Sequence, residues 1–134
     1  MPSQPLLSES QIQQSFIKIV RELLIYRYPD LRWLHSIPNG LRCSMGTAQK
    51  AKREGLTAGI ADVFLPLPKE NFHGLYLEFK KKGGYQSEAQ KRFQFWCAEK
   101  GYDYHVVRDA ETAIQIVKSY VSLPSPIRHS KARS

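Results

Sequence analysis

Three residues in the middle of the chain have the types and spacing to hold a metal ion between two carboxylates and to place a positive charge beside it. Glu78 and Lys80 lie two positions apart in a segment where apolar and polar residues alternate, and such alternation predicts a β-strand. Residues i and i+2 of a strand point the same way, so Glu78 and Lys80 share one face while Phe79 packs behind them. Asp62 lies in the preceding predicted strand, and antiparallel pairing of these strands would set its carboxylate beside Glu78.

Two neighbouring carboxylates repel each other unless a cation lies between them. Mg²⁺ suits such a pair, because it binds one or two carboxylates, keeps several waters and accepts phosphate oxygens. The Phe79 carbonyl is a plausible further ligand. A divalent ion in this place lowers the pKa of a bound water, and the Lys80 ammonium can neutralise developing charge or help to deprotonate that water. The arrangement therefore suits cleavage of a phosphodiester.

Each of these residues also has an ordinary structural interpretation. Asp62 could be an acid at the end of a strand, and Glu78 with Lys80 could be an exposed ion pair worth ~0–1 kcal/mol. Their joint occurrence favours the catalytic interpretation.

The elements that would position these residues follow from hydrophobic periodicity and turn signals. The pattern predicts helices from Ser8 to about Pro29, from Thr47 to Arg53, from Ser87 to Gly101 and from Asp109 to about Tyr120, and strands over residues 33–37, 60–65, 73–80 and 102–107. The order α-β-α-β-β-α-β-α predicts an α/β fold, with a mixed central sheet of about four strands flanked by helices. The strand at 102–107 should run parallel to that at 73–80 through a right-handed crossover.

Capping patterns support the helix boundaries. Ser8 with Gln11, and Ser87 with Gln90, are capping boxes, and Gly101 stands where a helix-ending glycine belongs. Thr47 and Asp109 are candidate caps of the two remaining helices. Trp33, Phe93 and Trp96 are expected in the core, and Ala113, Ile116, Val117 and Tyr120 should face inward on the last helix.

The composition bounds the class of protein. The chain has 134 residues with 20 basic and 12 acidic side chains, a net charge of +8, which favours one domain and a polyanionic partner. Charge alone does not separate DNA from RNA or from an anionic membrane. Lys81 and Lys82, beside the acidic pair, are candidates for phosphate contacts, and Lys50 and Arg53 for DNA contacts, although solvated faces explain the same residues.

Neither cysteine belongs to a metal-binding or disulfide pattern. Cys43 and Cys97 are expected to be buried, reduced thiols. The first residues have no apolar signal segment, and no apolar run approaches the ~20 residues needed to span a bilayer, which predicts a cytoplasmic protein. We expect a flexible lead at 1–7, a domain at 8–121 and a flexible basic tail at 122–134.

The ordered set of motifs resembles the VRR-NUC (virus-type replication-repair nuclease) family of PD-(D/E)xK nucleases, in the stand-alone form of phages and bacteria. The resemblance covers roughly residues 8–120. It rests on Glu9 in a Gln-containing first helix, Pro38-Asn39-Gly40, Gly55-Leu56-Thr57-Ala58-Gly59-Ile60-Ala61-Asp62-Val63, Leu77-Glu78-Phe79-Lys80 and Ser87-Glu88-Ala89-Gln90. One departure is Ala61, which stands where the family usually has proline. That proline shapes the backbone and ligates nothing, so little loss of activity is expected.

The resemblance implies a restriction-endonuclease-like core and a DNA endonuclease that uses Mg²⁺ or Mn²⁺. It implies that Asp62, Glu78, Lys80 and Gln90 are catalytic, and that Asp62, Glu78, the Phe79 carbonyl and Glu9 serve the metal. Gln90 would orient the site or contact phosphate. The similarity to Holliday-junction resolvases implies a homodimer on branched or four-way DNA, in a bacterial or phage-infected cell.

Two alternatives share the fold. The chain could be a basic module that binds branched nucleic acid without cutting it, or a nuclease directed at RNA. The first alternative predicts binding without metal, and competition between matched DNA and RNA substrates tests the second.

Overall fold

The structure, a computed structural model, describes residues 5–38 and 44–126. The Asn39-Gly40 part of the predicted turn, Cys43 and the basic residues Arg128, Lys131 and Arg133 lie outside these ranges. None of the helices in the described ranges is long and apolar enough to cross a membrane.

The elements follow the predicted order. The first helix consists of α1 (Glu9–Ile19), a π-helical segment (Val20–Leu24) and α2 (Ile25–Arg27), and the later helices are α3 (Met45–Arg53), α4 (Glu88–Lys100) and α5 (Ala110–Val121). The strands are β1 (His35–Ser36), β2 (Val63–Leu65), β3 (Leu75–Phe79) and β4 (Asp103–Val107). The sheet has the order β1-β2-β3-β4, in which the first two pairs are antiparallel and β3 and β4 are parallel. The predicted α/β fold with a mixed sheet, and the parallel pair within it, are confirmed.

One face of the sheet packs on α1 and α5 to form the apolar core. Phe16 and Phe79 place their ring centroids 5.5 Å apart across this interface, and both side chains are buried. Burial of one such side chain contributes ~1.5–3 kcal/mol. The predicted alternation on β3 is observed, because Leu75, Leu77 and Phe79 all belong to this core.

The other face of the sheet packs on α4 through aromatic rings. Tyr76 stacks on Phe64 at 4.4 Å and meets Phe93 edge-on at 5.0 Å. Phe93 is half-buried as a result, whereas Trp96 stays 43% exposed and Trp33 61% exposed. The prediction that both tryptophans lie in the core is therefore wrong.

The helix caps agree with the sequence at four of five positions. Both capping boxes form, Asp109 accepts a hydrogen bond from the Thr112 N–H, and Gly101 ends α4 with a φ of 84°. The exception is α3, where Ser44 is the N-cap and accepts from the Thr47 N–H, so Thr47 lies inside the helix. On α5, Ile114 is buried and Ile116 only partly buried, although the sequence pattern favoured Ile116.

All four strands begin later than predicted. Trp33 belongs to a 3₁₀ turn over Pro29–Trp33, because the fixed φ of Pro29 starts a tight turn there, and β1 keeps only two residues. The segment at residues 60–62 bends before β2 begins. Because β2 and β3 are antiparallel, the segment that leads into β2 lies beside the carboxyl end of β3.

Candidate active site

Asp62 is held by backbone hydrogen bonds to both of its neighbouring segments. Its N–H donates to the Leu77 carbonyl at 3.0 Å, and its carbonyl accepts from the Ile37 N–H at 2.8 Å. Its carboxylate Oδ2 accepts from the Phe79 N–H at 2.7 Å. The side chain thus bonds to a backbone donor of β3, which fixes the carboxylate beside Phe79.

Glu78 is fully buried, at 0% exposure, on the sheet face that carries Tyr76. Its Oε1 accepts a hydrogen bond from the Tyr104 hydroxyl, while Oε2 has no hydrogen-bond partner within residues 5–38 and 44–126. Burial raises the pKa of Glu78, and the Asp62 charge raises it further. Tyr104, Lys80 and Gln86 act in the opposite direction on that pKa.

Lys80 directly follows β3 and is only 8% exposed. Its N–H donates to the Val107 carbonyl at 2.9 Å, which extends the pairing of β3 with β4 beyond Phe79. Because the Lys80 charge lowers the pKa of Glu78, its ammonium lies within electrostatic reach of that carboxylate. The structure therefore brings Asp62, Glu78 and Lys80 together, as their spacing predicted.

A close contact between Gly59 and α4 positions the segment that leads to Asp62. Gly59 has a φ of +91°, and a Cβ added there would lie 2.6 Å from backbone atoms of Ala89. Only glycine accommodates both the positive φ and this approach. The close approach of Gly59 to Ala89 lets the bend before β2, which carries Asp62, reach the start of α4.

Gln90 and Glu9 lie near this region in different roles. The Gln90 side-chain oxygen accepts from the Ser87 N–H at 2.8 Å, so this oxygen completes the capping box of α4. Glu9 lies in the first turn of α1, and its Oε2 is 3.6 Å from the place that a Cβ on Gly84 would take. Glu9 is therefore adjacent to the turn that follows Lys80.

Two polar residues beside Glu78 were not singled out from the sequence. Tyr104 on β4 bonds to the carboxylate, and its own pKa is raised by burial and by Glu78. Gln86 lies close enough to both groups to lower their pKa values, and its Nε2 donates to Gln94 Oε1 at 2.9 Å. The parallel pairing of the strands was the only sequence signal that pointed toward Tyr104.

The basic candidates form two exposed groups. Lys81 and Lys82 are exposed in the turn after Lys80, where Arg108 donates to the carbonyls of Lys81 and Gly84 at 3.0 and 2.9 Å. Lys50 and Arg53 are exposed on α3, where Lys50 lies 3.8 Å from Glu54.

The donor set fits a small divalent cation in part. Two carboxylates converge, and one of their oxygens is a buried acceptor for which the described part of the chain offers no hydrogen-bond donor. No group of three or more His, Cys, Asp or Glu side chains within the described residues is arranged to hold a metal. Mg²⁺ is compatible with so few protein ligands, because it keeps several waters.

The sheet order, the flanking helices and the acidic pair define a PD-(D/E)xK-type α/β domain. A solved structure described as a "VRR_NUC domain protein" superposes with a TM-score of 0.77 at 25% sequence identity, covering 96% of this chain and 99% of that one. The resemblance to the VRR-NUC family is thereby confirmed. No protein-family model and no curated protein sequence matches the chain.

Proposed function

We propose that the chain is a metal-dependent, structure-selective DNA endonuclease that hydrolyses phosphodiester bonds, similar to a Holliday-junction resolvase. The observation that carries the proposal is the convergence of Asp62, Glu78 and Lys80, because the Asp62 and Lys80 charges both act on the buried Glu78 carboxylate, whose Oε2 has no donor within the described residues. The fold shared with a VRR_NUC domain protein over nearly the whole chain supports the same conclusion.

In this proposal, Asp62, Glu78 and the Phe79 carbonyl hold Mg²⁺ or Mn²⁺, with Glu9 as a water-bridged partner. The ion would activate water and neutralise charge on the phosphate. Asp62 is pre-positioned for its role, because the Phe79 N–H fixes one carboxylate oxygen. Lys80 supplies positive charge where the attacked phosphate gains negative charge, and its burial strengthens that interaction.

Gln90 has two roles in the proposal, one for each polar atom of its side chain. Its side-chain oxygen caps α4, while its amide N–H₂ group is a donor suited to a phosphate oxygen. The contact between Gly59 and Ala89 brings the start of this helix to the segment that carries Asp62.

A nucleic acid is the proposed substrate because the net charge is +8 and exposed lysines flank the site, and the family resemblance favours DNA over RNA. Lys81 and Lys82 would contact the phosphates nearest the cut, and Lys50 and Arg53 would contact a more distant backbone. A homodimer would present two sites to two strands of a four-way junction. Branched DNA and the dimer both follow from the family resemblance.

The test uses purified protein on labelled four-way junction, flap, duplex and matched RNA substrates, with Mg²⁺, Mn²⁺ or chelator. Asp62→Asn and Lys80→Met should each reduce cleavage by at least ~10²-fold, the scale of losing one electrostatic group at a reacting centre. Glu111→Gln on the exposed surface of α5 is the matched control and should cut normally.

Several outcomes would contradict parts of the proposal. Cutting that persists in Asp62→Asn would remove the mechanism, and binding without cutting under any ion would favour a non-catalytic module. Preferential cutting of RNA would overturn the assigned substrate. Sedimentation of a monomer at all accessible concentrations, with or without junction DNA, would overturn the dimer.

A further inference from the structure

Tyr104 approaches Glu78 diagonally across the parallel strand pair. The register places Tyr104 opposite Tyr76 and Val106 opposite Glu78, so the tyrosine lies two positions before the residue that faces the acid. Residues two positions apart on a strand share a face, so Glu78 lies on the face of Tyr76. Because Tyr104 pairs with Tyr76, the Tyr104 and Glu78 side chains lie on the same side of the sheet. The tyrosine ring is long enough to span the offset, and its hydroxyl donates to Glu78 Oε1.

The Tyr104 ring is itself held in place. Phe93 of α4 meets it edge-on, with the ring centroids 6.0 Å apart. Gln86, which donates to Gln94, lies close enough to the Tyr104 hydroxyl to lower its pKa. The donor is therefore anchored by α4 and by the segment before it, independently of the Glu78 carboxylate.

This arrangement makes the two oxygens of Glu78 unequal. Oε1 accepts a hydrogen bond from the Tyr104 hydroxyl, while Oε2 is buried without a donor in the described residues. A carboxylate can bind a cation through one oxygen or through both. Ca²⁺ readily takes two oxygens of one carboxylate at 2.3–2.6 Å, whereas Mg²⁺ requires near-octahedral geometry at about 2.1 Å.

We propose that Tyr104 is a positioning residue that restricts Glu78 to binding a cation through Oε2 alone, and that it thereby favours Mg²⁺ or Mn²⁺ over Ca²⁺. This inference rests on the proposed metal site. It adds a determinant of cation choice that lies on β4, outside the Glu-x-Lys motif. Partners that orient a ligating carboxylate commonly change metal affinity by 10–100-fold when they are removed.

The test measures cation binding by calorimetry on the full chain without DNA. Tyr104→Phe removes the hydroxyl and keeps the ring that contacts Phe93. We expect Mn²⁺ affinity to fall about 10-fold and the ratio of Ca²⁺ to Mn²⁺ affinity to rise by a similar factor. Tyr120→Phe is the matched control, because its hydroxyl donates to the Leu67 carbonyl at 2.6 Å in the core, and it should leave the ratio unchanged.

The outcomes separate this inference from the proposed function. Mn²⁺ binding by the wild type that is lost in Asp62→Asn, but unchanged in Tyr104→Phe, overturns only the role of Tyr104. Absence of Mn²⁺ binding by the wild type overturns the metal site and this inference together. A crystal structure of the wild-type Mn²⁺ complex is the second measurement, which does not depend on any variant folding. Coordination through Oε2 alone supports the inference, and coordination through both Glu78 oxygens overturns it.

Discussion

Replacing Glu78 by glutamine should stabilise the metal-free protein while abolishing cleavage. Burial and the Asp62 charge disfavour the charged form of Glu78, as its raised pKa shows, and a buried charged group with one oxygen lacking a donor within the described ranges costs about 1–3 kcal/mol. Glutamine keeps an oxygen that can accept from Tyr104 and removes the negative charge beside Asp62. We expect Glu78→Gln to raise the free energy of unfolding by roughly 1–3 kcal/mol, or Tm by roughly 3–10 °C for a domain of this size.

The pH dependence of this gain has a definite sign. Burial raises the pKa of Glu78 in the folded state above its ordinary value of 4.5, so the folded protein binds the proton more tightly than the unfolded chain. The destabilisation of the folded protein by the charged Glu78 carboxylate is therefore absent below the ordinary pKa and grows as pH rises through the folded-state pKa. The advantage of Glu78→Gln over wild type should be small at acid pH and largest near neutrality.

The assay is urea denaturation in chelator at several pH values, repeated with Mn²⁺. Saturating Mn²⁺ at 100 times Kd should stabilise the wild type by about 2.7 kcal/mol and the variant much less. Glu88→Gln is the control, because the Glu88 side chain is 80% exposed and the change should stay within about 0.5 kcal/mol. The reasoning is refuted by a Glu78→Gln protein that is less stable than wild type at pH 7 in chelator, or by a gain that does not shrink on acidification.

Three further predictions concern the supports of the site. Gly59→Ala should destabilise the protein by more than ~2 kcal/mol in urea denaturation, because the added Cβ meets Ala89 backbone atoms at 2.6 Å with φ at +91°, whereas Gly46→Ala on α3, with open space around it, should be neutral or stabilising by up to ~1 kcal/mol. Ser87→Ala should cost ~1 kcal/mol by loss of the α4 cap, and a change below 0.3 kcal/mol in the same assay would contradict the capping role. Cys97 is buried, and burial raises its pKa to about 11, so in a variant whose other cysteine is serine, thiol labelling at pH 8 should require unfolding; rapid labelling of the native protein would contradict this.

Most of the fold was predictable because helix caps and strand alternation depend on residues that are close together in the sequence. The capping boxes at Ser8 and Ser87 depend on residues three positions apart, and the alternation on β3 depends on neighbours two apart. Both are visible in the sequence. The first strand was predicted too long because the turn that begins at Pro29 includes Trp33, which the apolar pattern had placed in the strand.

The candidate site was predictable only in part for a related reason. Glu78 and Lys80 share a face by strand periodicity, but the partner of Glu78 depends on the register between β3 and β4. Register is set by packing across the whole sheet, so the contact with Tyr104 could not be inferred from the sequence. The exposure of Trp96 also depends on tertiary packing, because α4 covers the aromatic face of the sheet and leaves part of the Trp96 ring uncovered.

The position of Asp62 shows how the geometry of the site depends on the sheet. Its backbone bonds to Ile37 and Leu77 and its carboxylate to the Phe79 N–H, so three segments must be in place before the carboxylate can face Glu78. Two carboxylates fixed in this way cannot move apart to relieve their repulsion, and the cost falls on the stability of the metal-free protein. A cation bound between them would recover that cost. The stability of the fold and the affinity for the ion should therefore change in opposite directions when either acid is neutralised.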